Sequence, residues 1–138
     1  MTFRHALLLA LASCATPLHV HAGSAGDALR AEGLFRARCA SCHSMACNRL
    51  GPKLEGLIGR RAGELPDYTL YTAELRASGV VWSEPALDEY LRDPGRMVPG
   101  TSMTAAGTVD SASDRRDLIA HIRRQDRRID LCPESQAR

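Results

Sequence analysis

Aromatic side chains are scarce in this chain: three Tyr, two Phe and one Trp make up 4% of its 138 residues. A core of ordinary size must then come from aliphatic side chains, or from something buried that the sequence does not encode. Charge of one sign is also scarce. The formal net charge is +2, which supports no nucleic-acid reading. The apolar run Ala6–Ala12 is too short to span a bilayer. There is no internal repeat, no low-complexity tract and no composition shift that would mark a second domain, so one domain is expected.

What is present begins with a targeting segment. Arg4 and His5 form a short basic start, the run Ala6–Ala12 follows, and Val20-His21-Ala22 offers an A-x-A-like cleavage site. Residues 1–22 are thus expected to be a signal peptide, with residues 23–138 the mature chain. Losing Arg4 lowers the net charge from +2 to +1. A second reading stays open, because Leu11-Ala12-Ser13-Cys14 resembles a bacterial lipobox in which Cys14 would carry lipid. Only in that case would the protein be held on a membrane. Both readings export the chain, and a periplasmic location is expected.

The motif around which the chain is organised is Cys39-Ala40-Ser41-Cys42-His43. C-x-x-C-H is the attachment signature of a c-type haem. Two thiols three residues apart on one helical turn can each bond a haem vinyl, and the next residue can present its imidazole to the iron. A C-x-x-C pair alone also fits half a zinc site or a redox dithiol. Zinc would need a second ligand pair, which Cys47 and Cys132 do not form, and a thioredoxin-like dithiol would need a βαβ context that is missing. One covalent haem with its iron is the expected cofactor. In an oxidising compartment the leftover thiols, Cys47 and Cys132, are expected to pair.

Periodicity predicts a helix over 27–38, with Leu34 and Phe35 plus Leu29 or Ala31 on one apolar face. Glycine and proline make 51–63 a loop whose apolar contacts are Leu54, Leu57 and Ile58. A short helix is predicted over 72–78 and an extended piece over 79–82. Ser83, Glu84 and Pro85 open the next helix, which buries Leu87, Tyr90 and Leu91 and ends at Asp93-Pro94-Gly95. Residues 97–103 read as a broken loop. A last helix is predicted from near Ser113 to about Asp130, with Leu118, Ile119, Ile122 and Ile129 as its stripe and the flanking arginines solvated. A haem on His43 needs a ligand on its far face. Met45 is too close in sequence to reach it, which leaves Met97 and Met103. Val98-Pro99-Gly100-Thr101-Ser102-Met103 is a rigid turn that presents one thioether.

Taken in order, CASCH at 39–43, GPKLEGLIGR at 51–60, Trp82, EYLRDP at 89–94 and VPGTSM at 98–103 resemble a class I c-type cytochrome, with DLIAHI at 117–122 in the final helix. The resemblance covers about residues 25–125. It implies an all-α cytochrome c fold, with three main helices plus short helices and loops wrapped around one covalently bound haem. A C-terminal extension from about 126 lies outside it. Cys39 and Cys42 would hold the haem, His43 and Met103 would ligate the iron, and the Pro52 carbonyl would orient the His43 ring. Tyr90 matches a tyrosine near the ligand sulfur, while Trp82, Thr101, Arg60 and Tyr71 match residues near the propionates.

The chain departs from that pattern in two places. Ala31 and His121 stand where the terminal helices usually cross on a glycine and an aromatic, so His121 is expected to pack rather than ligate, with a slightly wider crossing. The lysine ring around the haem edge is missing: Lys53 is the only lysine, and Arg38, Arg96, Gly95 and Ser102 take its place. Docking to the acidic partners of the mitochondrial protein is therefore not expected. His/Met ligation favours ferrous iron and a positive potential. The expected activity is electron transfer without catalysis, from a dehydrogenase or bc-type complex to an oxidase or reductase. Two alternatives remain, a dedicated electron-accepting subunit of a periplasmic dehydrogenase and a gas-binding or peroxidatic haem protein.

Overall fold

The computed structural model describes residues 25–124 and Cys132. Its helices are α1 (Ala25–Arg38), α2 (Ala73–Ala77), α3 (Glu84–Arg92), α4 (Pro94–Met97) and α5 (Ala112–Arg124), with a 3₁₀ turn at Ser102–Ala106 between the last two. Among the described residues there is no strand, only an isolated antiparallel bridge between Arg61 and Val81. The expected all-α architecture holds. No helix among them is long and apolar enough to cross a membrane.

The core is anchored where α1 packs on α5. Ala31 and Phe35 lie one turn apart on α1 and are each 1% exposed, so the same stripe faces inward at i and i+4. Leu29 is exposed; of the two residues that periodicity offered for this face, Ala31 is the buried one. From α5, Leu118, Ile119 and Ile122 are buried. His121 is fully buried and lies against Phe35, ring centroids 4.8 Å apart. It packs in the crossing, as expected.

Local signals set the shorter elements. The Thr72 hydroxyl accepts from the Leu75 N–H and starts α2. The Ser83 hydroxyl accepts from the Ala86 N–H and starts α3, where Pro85 sits in the first turn. Asp93 closes α3 and at once caps α4, its carboxylate accepting from the Arg96 N–H at 3.0 Å.

Four expectations are corrected. The segment after Asp93 was predicted irregular; it contains α4 and the 3₁₀ turn, because Asp93 and Thr101 each cap a new turn. Ile58 is 40% exposed and makes no core contact of the kind Leu54 and Leu57 make. Thr72 and Ser78 cap α2 rather than belong to it. Arg115 is not solvated but buried, its Nε donating to Asp88 at 2.7 Å and its Nη1 to the Val109 and Asp110 carbonyls. A guanidinium can be buried when nearly every donor finds an acceptor. The expectations about residues 1–22, Cys14, Ile129 and, apart from Cys132, the extension from about 126 lie outside the described residues.

Candidate functional site

The haem motif lies directly at the end of α1. The Cys39 and Ala40 N–H groups still donate to the Phe35 carbonyl, and the His43 N–H donates to the Cys39 carbonyl at 2.8 Å. That extra turn places Cys39, Cys42 and His43 on the wall of one cavity. The chain after it folds back on itself. The Gly51 N–H donates to the Cys42 carbonyl, Leu54 to Ser44, and Glu55 to Met45, at 2.9–3.0 Å. Arg49 donates to the Ala40 carbonyl, and the Tyr68 hydroxyl to that of Leu50.

This fold-back fixes His43. Its Nδ1 lies 2.8 Å from the Pro52 carbonyl oxygen, which assigns the ring proton to Nδ1 and leaves Nε2 as the basic nitrogen. Burial lowers the His43 pKa, with the Pro52 bond acting in the opposite direction. The imidazole is therefore neutral at pH 7, the form a metal requires. Position 51 must be glycine, because a Cβ there would strike the His43 ring. Burial also pushes the Cys39 thiol up to about 11, with Arg38 pulling it down and Cys42 adding to the rise. The thiol stays protonated and is a poor attacker of disulfides.

A second part of the wall comes from the segment after α4. Thr101 starts the 3₁₀ turn that carries Met103, its hydroxyl accepting from the Met103 N–H at 3.4 Å. The Tyr90 hydroxyl lies 2.5 Å from the same Thr101 oxygen, and the Trp82 and Tyr90 rings pack 4.9 Å apart. Arg60 donates to the Glu55 and Lys53 carbonyls, and its burial lowers its pKa. Between the two parts is a cavity of ≈ 510 Å³, inside the roughly 300–1,000 Å³ range of small-molecule and cofactor sites. Leu54, Leu57, Leu75, Leu87, Leu91 and Ile122 make its lining largely apolar.

The structure thus brings Cys39, Cys42, His43, Pro52, Arg60, Tyr71, Trp82, Tyr90 and Met103 onto one wall system. Thr101 is not on the wall but behind Tyr90. Met97 packs against the core and Met45 is buried in it, neither lining the cavity. Cys47 and Cys132 also meet, Cα atoms 5.7 Å apart, inside the span a disulfide bridges. Sequence reasoning missed Leu75 and Tyr68. Leu75 lies in a helix too short for a periodic signal, and Tyr68 sits in a proline-containing loop. The cavity fits a haem on three counts: two thiols and a neutral imidazole from the motif, a thioether from the Met103 turn, and an apolar lining for the plate.

No protein-family model matches the chain. Cytochrome c of Gibberella zeae is 41% identical over 101 residues, 71% of this chain and 93% of that protein. Cytochrome c of Arabidopsis thaliana is 40% identical over 100 residues, 70% of this chain and 88% of that one. Among solved structures, cytochrome cH from Methylobacterium extorquens superposes with a TM-score of 0.66 at 35% identity, covering 72% of this chain and 99% of that one. With relatives of that identity matched over nearly their whole length, and with the cavity and its thiol, imidazole and thioether groups in place, the chain belongs to the class I c-type cytochromes, electron-transfer proteins that carry one covalently bound haem c with its iron and are not enzymes.

Proposed function

We propose that the protein is a periplasmic carrier of single electrons, held to its cofactor by Cys39 and Cys42 and ligating it through His43 and Met103. The observation that supports this reading is that Cys39, Cys42, His43 and Met103 all line a single, largely apolar cavity. When bound, the haem supplies a one-electron couple. The chain's own residues do the rest. Cys39 and Cys42 fix the cofactor's position, so nothing is lost to reorientation between reduction and oxidation. Pro52 holds the His43 ring through Nδ1, and Gly51 keeps the space beside that ring clear.

Tyr90 and Thr101 hold the Met103 turn against the cavity. The leucine wall excludes water and disfavours extra charge, which supports a positive potential. Arg60, Tyr71 and Trp82 lie where they would face the polar edge of the cofactor. His43 and Met103 would together hold the iron, and iron held by two side chains would offer a substrate no open position. Residues 1–22 serve as the leader, 23–138 form one domain with an extension from about 126, and a Cys47–Cys132 disulfide ties that extension down. Donors of the dehydrogenase or bc-type class and acceptors of the oxidase or reductase class fit such a carrier.

The test is the spectrum of the purified protein. The ferric form is expected to show the weak far-red sulfur-to-iron band, and Met103→Ala to abolish it. Carbon monoxide is expected to bind the reduced wild type only slowly, after the sulfur bond opens. Immediate binding in the wild type would end the carrier reading.

A further inference from the structure

The mouth of the cavity is built from exposed residues of four segments. Ser41 comes from the haem motif, Leu50 and Leu70 from the two loops that follow, and Ser102, Ala105 and Ala106 from the Met103 turn. All six are uncharged. Leu50 is 75% exposed and Leu70 66%, two of the five large exposed hydrophobics among the described residues. They lie at the one opening where electrons would enter and leave. Among the described residues, Arg38 is the single charged side chain both exposed and on this wall, and it donates to the Thr108 carbonyl at 3.3 Å.

Three cations on the neighbouring segments have acidic partners within the chain, while Arg38 and Arg49 donate to the Thr108 and Ala40 carbonyls. Arg96, at the end of α4, pairs with Glu89 at 3.2 Å and with Asp93 at 4.0 Å. Arg36, one turn before the motif, pairs with Glu32 at 3.3 Å, and Lys53 pairs with Asp67 at 2.8 Å. Among the cavity-lining residues an acidic partner would find Arg38 as the one exposed charge, and a basic one no carboxylate. What remains to drive docking is the burial of Leu50, Leu70 and the two alanines.

We propose that this mouth docks redox proteins whose own cofactor opens through an uncharged, apolar rim, and that the association is driven by apolar burial rather than by charge. The proposal rests on the carrier reading above, because it takes the cavity mouth as the point of electron entry and exit. A second copy of this chain presents such a rim and serves as the probe. In self-exchange one electron leaves the reduced copy and enters the oxidised one, and no proton, atom or bond is exchanged.

The experiment is the self-exchange rate from NMR line broadening in mixtures of oxidised and reduced holoprotein. Between about 10 and 500 mM salt, where the Debye length shrinks from about 30 Å to a few Å, the wild-type rate is expected to change less than about threefold. The double variant L50K/L70K is expected to slow by more than tenfold at low salt, where like charges also repel, and to recover at high salt only to the rate of the neutral variant. The neutral variant L50S/L70S is expected to slow about tenfold at every salt concentration, each tenfold matching about 1.4 kcal/mol of lost contact. The far-red band and the unfolding midpoint, read on the same samples, are expected to stay at wild-type values, which separates a lost docking face from a lost ligand. A wild-type rate that climbs or falls steeply with salt, or an L50S/L70S rate equal to wild type, would overturn the proposal.

Discussion

The two walls of the cavity are held in different ways. On the His43 side the backbone does the holding: the Cys42, Ser44 and Met45 carbonyls all accept from N–H groups of the returning chain, the Pro52 carbonyl grips the ring, and Gly51 leaves no slack beside it. Cys47 and Cys132 meet just behind. On the Met103 side a single threonine hydroxyl does most of it, shared between the Tyr90 hydroxyl and the Met103 N–H. Met103 itself is only partly buried. One wall is locked by backbone bonds from a returning loop, and the other by a hinge at Thr101, whose turn is otherwise held to itself and to Val98 through the Thr101 N–H, the Thr104 hydroxyl and the Gly107 N–H. The His43 wall should therefore govern stability, and the Met103 wall should govern ligand lability.

The largest test of that contrast is the double variant Cys47→Ser, Cys132→Ser. The two residues are 85 apart in sequence, and in the chain-entropy model opening a loop of that size removes up to ~4–5 kcal/mol. Guanidinium unfolding should show the loss, while the far-red band of the native protein persists. A loss under about 1 kcal/mol would show that the bridge does not lock this wall.

A smaller effect is expected from Gly51→Ala, which overpacks the His43 ring at a cost of about 1–3 kcal/mol. It should lower the yield of haem-loaded protein and perturb the proximal histidine signals by NMR. Unchanged signals would mean that the proximal wall gives more readily than its geometry implies.

The smallest change in stability, about 1 kcal/mol, is expected for Thr101→Val, which removes the shared acceptor. Here the lability should move more than the stability. Carbon monoxide should bind reduced Thr101→Val faster than wild type, and an unchanged rate would refute the hinge. The same wall carries a pH dependence. Burial raises the Tyr90 pKa, against the Thr101 bond, which lowers it. A tyrosine raised in the folded state contributes stability that is complete below its ordinary value of about 10 and is lost as pH rises through the folded value. Alkaline titration of unfolding free energy should show that fall, and Tyr90→Phe should flatten it.

Much of this site was legible before any coordinates. The C-x-x-C-H spacing is itself a statement of geometry, since one helical turn places both thiols and the imidazole on the same side. Ser83 and Pro85 announced α3 because caps and first-turn prolines act within four residues. Arg115 was misjudged for the opposite reason. Its acceptors are Asp88 and the carbonyls of Val109 and Asp110, and a stripe of arginines on an amphipathic helix looks the same whether or not a neighbouring helix supplies partners. The choice between Leu29 and Ala31 also depended on α5, which has no trace in the local sequence.

The amino-acid sequence alone determined the attachment motif and the starts of helices such as α3, because each is written in residue types a few positions apart. Only the tertiary structure decided that Arg115 is buried against Asp88 and the Val109 and Asp110 carbonyls, that Thr101 bonds Tyr90 rather than lining the cavity, and that Leu50 and Leu70 line the same cavity. Those facts join separate segments of the chain, and chain folding rather than local spacing sets such distances.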